Sequence, residues 1–112
     1  MKKDRKNLYE GMYIINATLS EDARTKALEK ITNGITERGG EIHKIHDQGR
    51  SRMAYPINKN REGYYYLMYF TVNTTAIKDM WQDYHLHEDL MRYITLRADE
   101  VQETIEFKSL EQ

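Results

Sequence analysis

The chain has no cysteine, a single proline and six glycines among 112 residues. Without cysteine there is no disulfide framework of the kind that staples small secreted scaffolds. There is no charge of one sign in excess either: 17 Lys and Arg face 18 Asp and Glu, for a net charge of −1 with His neutral. The whole-molecule field therefore does not draw in nucleic acid or an anionic membrane, and any such binding has to use a local basic patch. Long hydrophobic runs are missing as well. The longest uncharged apolar-rich stretch, Tyr64 to Val72, is far too short to span a bilayer. The basic start, Met1-Lys2-Lys3-Asp4-Arg5-Lys6, leads into no apolar segment of the signal-peptide kind. These absences point to an intracellular protein without membrane contact. What is present is 39% hydrophobic and 11% aromatic residues under 31% charged ones, enough for one core and too little chain for a multidomain enzyme.

Leu8 to Asn16 is rich in aromatic and β-branched residues and reads as a strand, apolar on both faces. Ser20 can cap a helix whose first turn holds Glu21 and Asp22, with Ala27, Leu28, Ile31 and Ile35 along one side and Gly39-Gly40 ending it. Glu41 to Asp47 reads as extended and continues after Gly49, which suggests a bend or bulge. Pro56 cannot donate to a ladder and puts this strand at a sheet edge. The loop chemistry of Asn58 to Gly63 predicts a hairpin to the strongest strand, Tyr64 to Val72. From about Thr75, Ile77, Met80, Trp81 and Tyr84 repeat at helical spacing, and Leu90 to Leu96 is a last strand of unclear register.

Strand, helix, strand, strand, helix, strand with right-handed crossovers gives an α+β, ferredoxin-like β-α-β-β-α-β domain over residues 1–97, its two helices on one face of a four-stranded antiparallel sheet. Residues 98–112, rich in Glu and without a continuous apolar face, read as an acidic tail that is mobile or ordered by a partner. In the third strand Tyr64, Tyr66, Met68 and Phe70 share one face and Tyr65, Leu67 and Tyr69 the other. The face without helices is thus expected to carry an apolar patch, which calls for a partner.

No catalytic signature stands out: there is no Gly-rich phosphate loop, no G-x-S-x-G and no H-E-x-x-H. His43-x-x-His46 and His85-x-His87 lack structural-zinc spacing and read as solvated side chains, so no metal and no cofactor is expected. Aromatics on an open sheet face are how some modules stack single-stranded RNA, but Gly63 to Phe70 does not match the RNP1 pattern. The basic residues fall into three groups: Lys2, Lys3, Arg5 and Lys6; Arg50 and Arg52 with Lys59 and Arg61; Arg92 with Arg97. Arg50, Arg52 and Arg92 are candidates for one ridge of phosphate contacts.

The segment Gly49-Arg50-Ser51-Arg52-Met53-Ala54-Tyr55-Pro56-Ile57-Asn58 resembles the signature of a known family, the sixth small-subunit ribosomal protein of bacteria. Tyr9-Glu10, Gly63-Tyr64 and Asp89-Leu90-Met91-Arg92 extend the resemblance from about Leu8 to Leu96, while Ser51, Met53 and Met91 depart from the usual pattern. The resemblance implies a structural, non-enzymatic protein that binds the central domain of small-subunit (16S) rRNA as a heterodimer with the eighteenth small-subunit protein, with no small-molecule substrate. Carried onto this chain, Arg52 and Arg92, then Arg50, are the expected rRNA contacts. Lys2, Lys3 and Arg5 follow from charge and position. The face argument assigns the partner interface to Tyr65, Leu67 and Tyr69, with Arg52, Ala54 and Pro56 on the edge strand, so Leu67→Asp is expected to abolish the heterodimer and leave the fold cooperative. The competing classes are a small ferredoxin-like ligand-binding or enzymatic domain and a self-associating module.

Overall fold

Local chemistry sets the ends of the elements. Ser20 is extended and its Oγ accepts from the Ala23 amide at 3.2 Å, which starts a helix with Glu21 and Asp22 in the first turn. That helix, α1 (Glu21–Glu37), stops where the amides of Gly39 and Gly40 donate back to the carbonyls of Thr36 and Ile35 at 3.0 and 2.9 Å. The computed structural model describes residues 5–57 and 60–104, with only the backbone over 53–57 and 60–61. The remaining elements are β1 (Lys6–Asn16), β2 (Glu41–Ile57), β3 (Asn60–Asn73), α2 (Ala76–Leu86) and β4 (Leu90–Arg97). The strands form one antiparallel sheet in the order β2-β3-β1-β4, the expected ferredoxin-like arrangement. Pro56 lies on β2, an edge strand as anticipated. No helix among the described residues is long and apolar enough to cross a membrane.

Two glycines fit the sheet for geometric reasons. Gly49 has φ of 81° where the β2 register shifts after Asp47, a conformation that a side chain disfavours. Gly63 lies where a Cβ would collide with Cγ2 of Ile14 on the neighbouring strand. Beyond Gly63 the sheet narrows: β1 ends its pairing at Asn16, while β2 and β3 run on to Ile57 opposite Asn60. The hairpin is therefore an arm that extends past the body of the sheet.

The two sheet faces are built differently. Under the helices, Tyr9, Tyr13, Ile15, Tyr66, Met68, Phe70 and Val72 pack against Ala27, Ile31, Ile35, Met80 and Tyr84 in one continuous core. The hydroxyls of Tyr13 and Tyr84 bond to each other inside it at 2.8 Å. Burial pushes both phenols up, Tyr84 to about 12. Trp81, although on the predicted apolar stripe, falls at its border and is exposed, its indole N–H donating to Thr95 Oγ1 at 3.3 Å.

On the other face Ile14 and Tyr65 form a second, smaller cluster with Met12 and Met91 against it. Tyr65, Leu67 and Tyr69 do lie on this side, but at 0%, 8% and 2% exposure they are not an open patch. Part of the cover is the chain itself. After β4 the Ala98 amide still donates to the Leu8 carbonyl, and the following residues cross the helix-free face toward β2. There the Gln102 carbonyl accepts from His46 Nε2 at 2.7 Å, its backbone hydrogen-bonds Tyr69, and Glu103 approaches Lys44 at 3.4 Å. For residues 98–104 the chain's own sheet thus supplies the ordering contacts that composition assigned to a partner or to none; residues 105–112 lie outside the described residues.

Solvation describes His43 and His85, which are exposed, but not the buried His87, and His46 is half-buried. His87 is buried with Nε2 donating to the Ala27 carbonyl at 3.2 Å, His43 bonds Thr71 Oγ1 at 2.6 Å, and His46 holds Gln102. Tertiary contacts that local sequence does not encode account for this. Among the described residues no cluster of His, Asp and Glu is suited to a metal ion.

Candidate nucleic-acid and partner interface

Arg50 and Arg52 leave the same side of β2, as their i, i+2 spacing requires, and register with Tyr64 and Glu62 of β3. Tyr64 belongs to the helix-side packing, so both arginines project on that side of the sheet. Both are exposed. Arg50 is ion-paired through Nε with Oε1 of Glu62, and this hydrogen bond raises its guanidinium above its ordinary pKa. A third arginine completes the group, one that sequence reasoning did not single out. Arg24, one turn after the Ser20 cap, stacks its guanidinium 3.9 Å from the centre of the Tyr64 ring. The available signal was its position in the first turn of a helix that the crossover carries back over the start of β3.

Arg92 is elsewhere. It registers with Ile14, whose side chain belongs to the helix-free cluster, and it sits on β4, the edge opposite β2. Three strand spacings, about 14 Å, and the thickness of the sheet separate it from Arg50. The expected single ridge of Arg50, Arg52 and Arg92 therefore does not form. Two strands intervene and the pleat sends the side chains to opposite faces. Arg5 is exposed at the far end of β1, its carbonyl accepting from the Thr74 amide at 2.8 Å. Lys2 and Lys3 lie outside the described residues.

The same register locates the partner candidates. Tyr65, Leu67 and Tyr69 stand opposite Ile14, Met12 and Glu10 on the helix-free face, buried as described. Burial pushes the Tyr69 phenol up, with the charge of Glu10 adding to it. Ala54 and Pro56 belong to the backbone of β2, and their side chains lie outside the described residues. The exposed apolar surface on this face lies two strands further across, on β4, at Ile94 and Leu96, 45% and 58% exposed, with Met12 and Met91 half-buried beside them. Arg92, Ile94 and Leu96 occupy alternate positions of β4 and so form one row on the helix-free side. The uneven alternation of β4 hid this row from the sequence reading, and a register shift between Ile14 and Ile15 accounts for it.

With this geometry in view, residues 8–97 match the family described as ribosomal protein S6. The chain belongs to that family. It is 63% identical over 112 residues, all of this chain and 98% of the other, to the small ribosomal subunit protein bS6 of Protochlamydia amoebophila. Its identity to the protein of that name from Chlamydia pneumoniae is 59% over 110 residues, 98% of each chain. The crystal structure of 30S ribosomal protein S6 from Thermotoga maritima superposes with a TM-score of 0.78 at 29% identity, over 84% of this chain and 89% of that one. Membership makes the chain a structural, non-enzymatic component of the small ribosomal subunit in the cytoplasm.

Proposed function

We propose that this ribosomal protein docks on the central domain of 16S rRNA as a heterodimer with the eighteenth small-subunit ribosomal protein. The row Arg92, Ile94, Leu96 carries the reading, because it sets a cation beside two exposed aliphatic side chains on an edge strand. A partner that covers Ile94 and Leu96 would bring its own charges next to Arg92, so that protein and RNA contacts meet along β4. Arg50 and Arg52, with Arg24 beside them, then serve a second RNA contact at the hairpin arm, where guanidinium groups suit bidentate phosphate binding. A near-neutral chain needs such help, since phosphate neutralisation dominates affinity for RNA. Tyr65, Leu67 and Tyr69 act in this reading as the floor beneath the partner, and Ala54 and Pro56 extend the contact along β2.

The test is binding of the full chain to a central-domain rRNA fragment, alone and with the eighteenth protein, across a salt series. Tight binding only in the partner's presence, with a slope worth several phosphates, is the expected result. A folded chain that binds the fragment in neither case overturns the proposal.

A further inference from the structure

The outer side of α2 carries a second surface with the chemistry of RNA recognition. Lys78, Trp81, Gln82 and His85 follow one another at i, i+3, i+4 and i+7 and are all exposed. With Leu86 at the end of the same helix and Tyr93 of β4 they line an open recess of about 540 Å³, within the range of small-ligand sites, about 300–1,000 Å³. Trp81 is 45% exposed and its ring is tethered by the hydrogen bond to Thr95. Tyr93, edge-on to the buried Tyr84 with ring centres 5.1 Å apart, is fixed from below. Two oriented aromatic side chains therefore stand beside an ammonium, an amide and an imidazole.

The charge of the lining distinguishes this recess from its neighbour. No carboxylate lines it, whereas the groove between α1 and α2 sets Glu37 and Asp83 against Lys30 and Arg38, with Arg38 and Asp83 paired at 2.7 Å. An anion bearing an aromatic ring fits the first and not the second. We infer that the Trp81 shelf binds an unpaired nucleotide of single-stranded RNA, its base stacked on the indole, its phosphate at Lys78, and Gln82 and His85 within reach of the base edge. The inference rests on the reading that RNA is this chain's ligand, but it concerns a surface remote from Arg50 and Arg52, across the sheet from the β2 edge.

Trp81 is the only tryptophan, so its emission reports on this shelf alone. The full chain is titrated with a ten-nucleotide oligoadenylate RNA, and separately with the central-domain fragment and the eighteenth protein. Quenching of Trp81 by the oligonucleotide is expected, with a salt slope near −0.7 for one neutralised phosphate. Trp81→Leu should weaken binding of a fluorescein-labelled oligonucleotide by about 10-fold, the loss of one stacked base. Lys78→Glu, at an exposed helical position, should weaken it as well while leaving the thermal midpoint unchanged. Unchanged emission and wild-type affinity of both variants, in a chain that still binds the rRNA fragment, overturn the inference and leave the docking proposal standing. Quenching by oligoadenylate in a chain that fails to bind the fragment supports the inference and overturns that proposal. An emission change on adding the eighteenth protein without RNA makes the shelf a protein interface and overturns the inference.

Discussion

The two faces of one sheet solve the same problem by different means. Under the helices, β3 presents Tyr66, Met68, Phe70 and Val72 to a continuous core closed by α1 and α2. On the other side the intervening residues Tyr65, Leu67 and Tyr69 are equally buried, yet their cover includes Met12, Met91 and the crossing segment 98–104. Burial alone therefore does not separate stability from function in this chain. The helix side is closed by two secondary-structure elements with deep apolar contacts, while the other depends partly on a few hydrogen bonds and an exposed ion pair. The free row of Ile94 and Leu96 lies only on the second face.

The contrast can be broken first at its strong side. Phe70→Ala removes a fully buried ring from the helix-side core and should cost about 3–5 kcal/mol in urea unfolding. A loss no larger than that of an exposed substitution would mean that the helices do not close this core. Raising the pH tests the same core through its tyrosine pair. Tyr84 titrates at about 12 in the folded chain against 10 ordinarily, so the folded state holds that proton more tightly. The associated stability is fully present below pH 10 and is lost as the pH rises toward 12, by about 2–3 kcal/mol. Tyr84→Phe should flatten that part of the stability profile, and an unaltered alkaline slope would remove Tyr84 as its source.

The weaker side should respond less. Truncation after Arg97 removes the bonds of Gln102 to His46 and Tyr69 and should cost about 2 kcal/mol, from one or two hydrogen bonds and the uncovering of Tyr69. It should also increase binding of a dye that reports exposed apolar surface. Equal dye binding before and after truncation would show that the segment covers nothing. The smallest stability effect belongs to Ile94→Asp, an exposed position whose change should stay within about 0.5 kcal/mol while affinity for the eighteenth protein falls at least 10-fold. Leu67→Asp does not make this test, because a carboxylate at a position 8% exposed destabilises the isolated fold.

Much of this architecture was legible in the residues. Ser20, the Gly39-Gly40 stop, the bend at Gly49, the edge position of Pro56 and the division of β3 between two faces all follow from local rules, since capping, positive φ, the missing amide and the period of two act over a few residues. The Gly49–Asn58 signature was enough to indicate the family that residues 8–97 match. Tertiary structure alone decided which groups meet. It sent Arg92 to the opposite edge and face from Arg50, brought Arg24 onto Tyr64, and left Trp81 at the border of its stripe. It also laid residues 98–104 over Tyr69 and moved the exposed apolar surface to Ile94 and Leu96. These outcomes depend on strand order, on one register shift between Ile14 and Ile15 and on contacts between segments more than fifty residues apart, such as His46 with Gln102. Periodicity in a single segment carries no information about them, because it fixes a side chain's direction relative to its own element and not what lies in that direction.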